Sequence, residues 1–342
     1  MDNRGLNDVS NVKAIMMLSI IIYHCIAIWM PGGWFVVKTE ERNVVLSCIA
    51  QWMNLIHIYV FTFASGYIYS VMRFERNHYN SFWIFLKKKI KRLLIPYVFV
   101  CVVWIIPFYV LFYKSSLEDI VYKYVLAYSP SQLWYIIMLF MVFVIAYLFG
   151  DKLYDLSIIR IVALFVGVET LYLMLDRYTS LPFQGAMCVK FIPYFVLGMN
   201  GKVIIEVFKN RSRVFASSTI AAHAIFFVIY VLSTSPIISI KVLHFLSATV
   251  CSITGIFLAF VVYHEIDDNA IFSSHFFIEL KENSFQMYLF HQQIIWCVLY
   301  VFYGKLPVFL VVLVSFVLSF SVSMIISKIL KRNILTRQFV GG

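Results

Sequence analysis

Long apolar runs recur along the whole chain and are separated by short polar stretches. A helix needs roughly 17–25 mostly apolar residues to cross a bilayer, and by that rule we predict about ten spans. The predicted spans cover residues 13–30, 44–71, 93–113, 132–149, 158–175, 186–200, 214–233, 242–263, 284–303 and 306–329. The predicted fold class is therefore an all-α polytopic membrane protein.

Two of these runs predict irregular helices, and the chain as a whole predicts one domain. The sixth run is short and contains Lys190 and Pro193, which indicates a broken or tilted helix. The second run is long, so its first turns are expected outside the bilayer. No polar stretch approaches the ~50 residues of a separate soluble domain, so residues 1–342 are predicted to form a single integral-membrane domain. The first run is too long for a cleaved signal peptide, and no small-residue cleavage site follows Met30.

Basic residues indicate the orientation of the spans. Alternate loops hold most of the Lys and Arg residues, with clusters at 87–92, 202–213 and 328–337. The poorer loops hold Lys38, Arg42, Lys114, Lys123, Arg177, Lys190, Lys241 and Lys305. Because loops rich in Lys and Arg stay in the cytoplasm, both termini are predicted to be cytoplasmic. An even number of spans agrees with that orientation.

Composition narrows the classes of protein that remain. The chain is 62% hydrophobic and 13% charged, with a mean hydropathy of +0.87, which excludes an ordinary soluble domain. The net charge of +11 does not indicate nucleic-acid binding, because the positive charges lie in short loops between apolar runs. The six cysteines are scattered without a CxxC pair, and the histidines lack metal-ligand spacing, so no metal site is predicted.

Two ionisable residues, Lys13 and His24, interrupt the first apolar run. A charge at the centre of a bilayer costs at least ~2.5 kcal/mol, so an ionisable residue in a span indicates a functional site by default. The two residues are eleven positions apart, which is ~16 Å along a helix and nearly three full turns. They should therefore project from nearly the same face. The alternative interpretations are that the Lys13 side chain extends to the membrane surface and that His24 has only a packing role.

Other polar residues in apolar runs are further candidates. Glu169 lies inside the fifth run and needs a partner such as Lys13, Lys190 or a histidine. For His57 and His291, a structural or packing role is favoured over a catalytic one. The small residues Ser65 and Gly66 permit close approach of a second helix or a local break.

The basic stretch KKKIKR at residues 87–92 has two interpretations. The first is a determinant of membrane orientation. The second is a phosphate site, because Lys89 and Arg92 are three apart on a helical turn and point the same way. Arginine also binds phosphate through two parallel hydrogen bonds.

Together, these segments resemble a known family. The ordered motifs NVKAIMMLSIIIYHC, VFTFASGYIYS, KKKIKRLLIPY, QLWYIIMLF, IPYFVLGM and SFQMYLFHQ are similar to those of the membrane-bound acyltransferase-3 family. Members are bacterial O-acetyltransferases of surface polysaccharides and related glycans. The resemblance runs from the first span to the ninth. Two positions depart from the family pattern, since Lys13 stands where arginine is usual and Lys89 replaces the first arginine of an Arg-x-x-Arg motif.

The resemblance implies an enzyme of the bacterial cytoplasmic membrane, with acetyl-CoA as co-substrate, a glycan hydroxyl as acceptor and no metal. It implies that His24 acts as general base or transient acyl carrier and that Lys13 lies along the donor route. In the same interpretation, Glu169 orients His24 or balances Lys13. The implied donor-binding residues are Lys89, Lys91 and Arg92.

A transporter or flippase of lipid-linked saccharides is the competing interpretation. Such a protein would also need many spans and buried charges. It would predict paired repeats with broken helices in corresponding halves, and no such repeat is visible in the sequence. The residues leave open which sugar and hydroxyl are modified, which short acyl group is moved, and the oligomeric state.

Overall fold

The computed structural model describes residues 3–30, 43–178, 180–209, 213–233, 240–266 and 269–341. These residues are almost entirely helical, and none of them forms a β-strand. The all-α prediction is therefore confirmed. Lys38, Arg42 and Arg211, which enter the orientation argument, lie outside the described residues.

The main helices are α1 Asn3–Ile26, α2 Val44–Asn54, α3 His57–Ser70, α4 Phe82–Tyr113, α5 Trp134–Leu153, α6 Ile158–Tyr178, α7 Gly185–Met199, α8 Lys202–Lys209, α9 Arg213–Ser233, α10 Lys241–Ile266, α11 His275–Phe302, α12 Val308–Arg332 and α13 Ile334–Phe339. Shorter helical turns cover Ala27–Trp29, Val71–Glu75, Leu117–Ile120, Val121–Val125, Ser131–Leu133 and Asn269–Phe272. The long second run divides at Leu55–Ile56 into α2 and α3.

Eight helical stretches of the described chain are long and apolar enough to cross a membrane, so the protein is a multi-pass membrane protein. The two further predicted spans correspond to α7, which has only 15 residues, and to α11. The buried polar residues of α11 that lower its hydrophobicity are Gln286, His291, Gln292 and Gln293. The number ten and the cytoplasmic location of both termini stay predictions.

The helices α1, α3, α7 and α11 form the centre of the bundle. Helix α1 packs against α11, α3 and α2, while α3 packs along α7. At one end of the bundle, Lys281 of α11 lies 3.2 Å from Oδ1 of both Asn7 and Asn11 of α1. We call this the basic end, and the opposite end contains Trp29 and Tyr303, whose ring centroids are 6.5 Å apart.

The basic run 87–92 is part of helix α4 and not of a loop, which corrects the sequence-based assignment. Two wide turns, Ile90–Leu94 and Cys101–Ile105, interrupt the regular α geometry of this helix. Each turn lies just before a proline, Pro96 or Pro107. A proline has no N–H and collides with the carbonyl four residues earlier, so the preceding turn widens to let the helix continue.

Helices α3 and α7 cross at two glycines. A Cβ on Gly66 would lie 2.0 Å from the carbonyl oxygen of Phe195, and a Cβ on Gly198 would lie 2.0 Å from that of Phe63. The close approach predicted at Gly66 is therefore confirmed, and it is reciprocal. Helix α7 is continuous through Pro193, so the expectation of a break there is wrong.

Candidate functional site

The packing of α1 against α11 brings two histidines together. Nε2 of His291 lies 3.1 Å from Nδ1 of His24, and the ring centroids are 4.8 Å apart. Both side chains are buried, with His291 at 0% and His24 at 7% exposure. The sequence favours a packing role for His291. That interpretation does not include its contact with His24, the principal candidate residue.

The hydrogen-bond pattern assigns the ring protons of this histidine pair. Nδ1 of His291 lies 2.8 Å from the carbonyl oxygen of Tyr288, and Nδ1 of His24 lies 2.8 Å from that of Ile20. A carbonyl oxygen only accepts, so each Nδ1 carries hydrogen and each Nε2 carries the lone pair. The single Nδ1–H of His24 is then shared between the carbonyl oxygen of Ile20 and Nε2 of His291. The basic nitrogen of His24 is therefore Nε2.

A third histidine lies beside the pair. The ring of Tyr23 has its centroid 4.8 Å from that of His57 and 4.8 Å from that of His24. The electrostatic interactions of His24 are with His291 and His57. Among the described residues, no group of three or more His, Cys, Asp or Glu side chains is arranged to hold a metal ion.

Nearer the basic end, α1 and α4 bring three cations together. Lys89 interacts electrostatically with both Arg92 and Lys13, and Lys13 also interacts with Arg92. In the described part of the chain, no carboxylate lies within ion-pair distance of any of the three. We call these residues the cation cluster. Three like charges without a balancing carboxylate favour the binding of an anion.

Lys89 is held in a cage of aromatic rings. Its side chain is buried, and Nζ lies 3.4 Å from the ring centroid of Phe143 and 5.5 Å from those of Phe85 and Tyr79. The attraction between a cation and the ring faces offsets part of the cost of burying the ammonium group. Burial raises the pKa of the Tyr79 phenol, which therefore stays neutral beside the lysine.

Lys91 and Arg92 are both exposed on α4. Arg92 interacts electrostatically with Lys13 and Lys89, whereas no such interaction connects Lys91 with them in the described structure. The structure thus brings Lys89 and Arg92 together with Lys13 and leaves Lys91 outside the cluster. The donor-binding role of all three α4 residues stays a prediction.

A series of aromatic rings connects the cation cluster with the histidine pair. Nζ of Lys13 lies 5.7 Å from the ring centroid of Phe61. The ring of Phe61 is 6.4 Å from that of Tyr135, which is 6.3 Å from that of Tyr288, and the latter is 6.0 Å from that of His291. We call Phe61, Tyr135 and Tyr288 the aromatic lane. The aromatic lane is a continuous series of rings between the cation cluster and the histidine pair.

Glu169 lies near Lys190, one of the three kinds of partner considered for it from the sequence. Its Oε1 accepts a hydrogen bond of 3.3 Å from the Tyr194 hydroxyl, and its nearby charge is that of Lys190. The described contacts do not connect Glu169 with His24 or Lys13, so its expected orienting of His24 is not seen. A catalytic role for Glu169 stays a prediction.

Sequence reasoning missed the contact of His291 with His24 and the whole aromatic lane. Signals for some of these residues were present. His291 and Tyr288 lie in the motif SFQMYLFHQ, and Tyr135 lies in QLWYIIMLF. Nothing in the local sequence shows that these two motifs face the first helix.

These features define an all-helical membrane domain with a buried histidine pair and a cluster of cations. A model of the acyltransferase-3 family, described as an acyltransferase domain, matches residues 6–328. The chain therefore belongs to the acyltransferase-3 family and is a membrane acyltransferase. Comparisons with curated proteins and with solved structures found no match.

Proposed function

We propose that this protein is an O-acetyltransferase of the bacterial cytoplasmic membrane. It moves an acetyl group from cytoplasmic acetyl-CoA to a hydroxyl of a surface or lipid-linked glycan. The observation that carries the proposal is the buried pair of His24 and His291, with the lone pair of His24 on Nε2. A histidine with an oriented neutral ring suits proton transfer near neutral pH.

The cation cluster supports a phosphorylated donor. With the basic end in the cytoplasm, Lys13, Lys89 and Arg92 lie on the side where acetyl-CoA is made available. Arg92 is exposed and supplies the planar fork that matches a phosphate, while the buried amine of Lys89 lies close enough to interact with it electrostatically. In this proposal the donor phosphates bind between α1 and α4.

The aromatic lane supports a path for the thioester arm. Lys13 and His24 are ~16 Å apart along α1, so the reactive carbonyl must lie far from the phosphates. The rings of Phe61, Tyr135 and Tyr288 border that interval. The slender arm of the donor extends along these rings and brings the thioester to His24.

His24 then acts on the acceptor hydroxyl. Nε2 takes the hydroxyl proton, the sugar oxygen forms a bond with the thioester carbonyl carbon, and the carbon–sulfur bond breaks. The leaving thiolate takes the proton back from His24. A second route stays open, in which Nε2 first takes the acetyl group and then passes it to the sugar. We favour the general base.

The test is transfer of radiolabelled acetyl from acetyl-CoA to glycan in membranes that contain the protein. His24→Ala should abolish transfer while the protein still inserts and purifies. His275→Ala, a matched change of an exposed histidine on α11, should retain transfer. Full turnover by His24→Ala would remove His24 from the mechanism. A wild-type protein that moves lipid-linked saccharide but transfers no acetyl would favour the transporter interpretation.

A further inference from the structure

Gln292, the residue after His291, has a buried side chain without hydrogen bonds. It is 0% exposed, and neither Nε2 nor Oε1 has a partner in the described structure. A primary amide offers two donor hydrogens and an accepting oxygen. Leaving all of them unpaired away from water is costly, so such a group requires an explanation.

One helical turn further along α11, Trp296 shows the same feature. It is 1% exposed, and its indole N–H has no partner among the described residues. Residues four apart share a helix face, so the indole lies beside the amide of Gln292. The rings of Tyr109 and Tyr113 are 5.8 Å and 5.9 Å from the Trp296 ring. This face of α11 therefore combines unpaired polar atoms with aromatic surface.

A third unpaired group comes from the segment after α4. The hydroxyl of Tyr124 is buried and has no hydrogen-bond partner among the described residues, and the Tyr124 ring lies 5.7 Å from that of Tyr109. The Tyr97 hydroxyl donates a 2.6 Å hydrogen bond to the carbonyl oxygen of Tyr124, which ties the backbone of this segment to α4.

The other two buried glutamines of α11 each keep at least one hydrogen bond. Gln286 donates from Nε2 to the carbonyl oxygen of Val340 at 2.8 Å, although its Oε1 has no partner among the described residues. Gln293 is also 0% exposed, and its amide exchanges two hydrogen bonds with Gln132, of 2.8 Å and 3.1 Å. Both amide atoms of Gln292, by contrast, lack a partner in the described structure. The contrast indicates that the atoms of Gln292 are kept for a ligand.

We propose that Gln292, Trp296 and Tyr124 bind the acceptor sugar ring and present its hydroxyl to His24. Sugar hydroxyls both donate and accept hydrogen bonds, and the C–H faces of the ring pack on aromatic side chains, so the three groups match this chemistry. The position also fits, because Gln292 and Trp296 follow His291 on α11 by one and five positions, up to ~8 Å along the helix. Tyr124 lies beside Tyr109, which contacts Trp296. This inference rests on the proposed acetyltransferase function, which brings a hydroxyl to Nε2 of His24.

The test uses the purified full-length protein, radiolabelled acetyl-CoA, and host surface polysaccharide stripped of its acetyl groups by mild base. Gln292→Leu and Trp296→Phe should each raise the KM for polysaccharide about three- to tenfold, the effect of losing one or two hydrogen bonds. The KM for acetyl-CoA should stay unchanged, because the donor binds beside the other end of the aromatic lane.

The thermal unfolding midpoint distinguishes a role of Gln292 in binding the sugar from a role in stabilising the fold. Gln292→Leu removes an unpaired buried amide, so its unfolding midpoint should equal or exceed that of the wild type. The matched control Gln293→Leu leaves Oε1 of Gln132 without its donor, although Nε2 of Gln132 keeps the carbonyl oxygen of Leu289, and should lower the midpoint. Unchanged polysaccharide KM in both Gln292→Leu and Trp296→Phe would overturn the acceptor site alone. A wild-type protein that labels no polysaccharide would overturn the proposed function, and the acceptor site with it.

Discussion

Lys13 and His24 lie on the same helix but have different neighbours. Lys13 interacts with the cations of α4, while His24 contacts His291 and lies near His57. The eleven-residue spacing predicts a shared face for the two residues. In the structure Lys13 lies near Phe61 at one end of the aromatic lane, and His24 contacts His291, whose ring is near Tyr288 at the other end. In the proposed mechanism this geometry separates the recognition of phosphate from the proton transfer.

Lys13 should contribute through its charge. Lys13→Ala is expected to raise the KM for acetyl-CoA by about tenfold or more, since hydrogen bonds to charged groups are the stronger class. Lys13→Arg keeps the charge and should retain more activity than Lys13→Ala. The measurement is acetyl transfer at varied acetyl-CoA. Equal losses in the two variants would show that conserving the charge is not enough.

His291 should act by positioning His24. His291→Leu removes one of the two acceptors that share Nδ1–H of His24 and leaves the carbonyl oxygen of Ile20 as the other. It is expected to lower kcat roughly 10- to 100-fold, part of what an oriented general base contributes. His291→Gln offers Oε1 as a replacement acceptor and should recover much of that loss. Steady-state kinetics tests this, and the KM for acetyl-CoA should not change. Equal kcat values in the two variants would contradict a positioning role.

The sequence predicts part of this site and omits part for a physical reason. Lys13 and His24 can be recognised from the sequence as candidate functional residues, because placing an ionisable side chain in a membrane-spanning run costs free energy. The histidine partner lies 267 positions away along the chain, and only the packing of α1 on α11 determines that contact. For Glu169, Lys190 was one of three partners considered, and local spacing does not choose among partners on different helices.

At the scale of elements, α4 shows why a boundary was misplaced. Proline is well tolerated in the first turn of a helix, and the predicted span that begins at residue 93 places Pro96 in its first turn. In the structure the helix begins at Phe82, and a wide turn over Ile90–Leu94 accommodates Pro96 without ending the helix. The basic residues consequently stand on a continuous helix, where Lys89 is fixed inside an aromatic cage.

The glycine crossing of α3 and α7 should be sensitive to one methyl group. Gly66→Ala or Gly198→Ala places a Cβ 2.0 Å from a backbone carbonyl oxygen of the other helix. The helices must then move apart, which should destabilise the protein by about 1–3 kcal/mol. The measurement is the thermal unfolding midpoint in detergent.

Gly167 of α6 is the matched control for this crossing. A Cβ at that position has no atom within 4 Å, so Gly167→Ala meets no obstacle. Alanine also has the better helix propensity, by up to about 1 kcal/mol. Gly167→Ala should therefore leave the midpoint unchanged or raise it. A similar midpoint loss in all three variants would show that the crossing is not the cause.

For the whole molecule, the two predicted spans least like typical ones, α7 and α11, both lie in the centre of the bundle. Helix α7 has 15 residues and packs against α3, and α11 carries buried histidine and glutamine side chains. A helix enclosed by protein needs little lipid-facing apolar surface. Hydrophobicity alone therefore identifies α1 and α4 of the candidate site but not α11.

Orientation is the whole-molecule property on which the donor proposal depends. The predicted topology places the C-terminus and the basic end in the cytoplasm and the turn at Gly304 on the other side. A fluorescent protein fused after residue 342 should fluoresce, because it folds in the cytoplasm. Alkaline phosphatase joined after Lys305 should be active, since it needs the oxidising side of the membrane. The control is phosphatase joined at the C-terminus, which should be inactive. An active phosphatase there would place the cation cluster on the side without acetyl-CoA and contradict its role in donor binding.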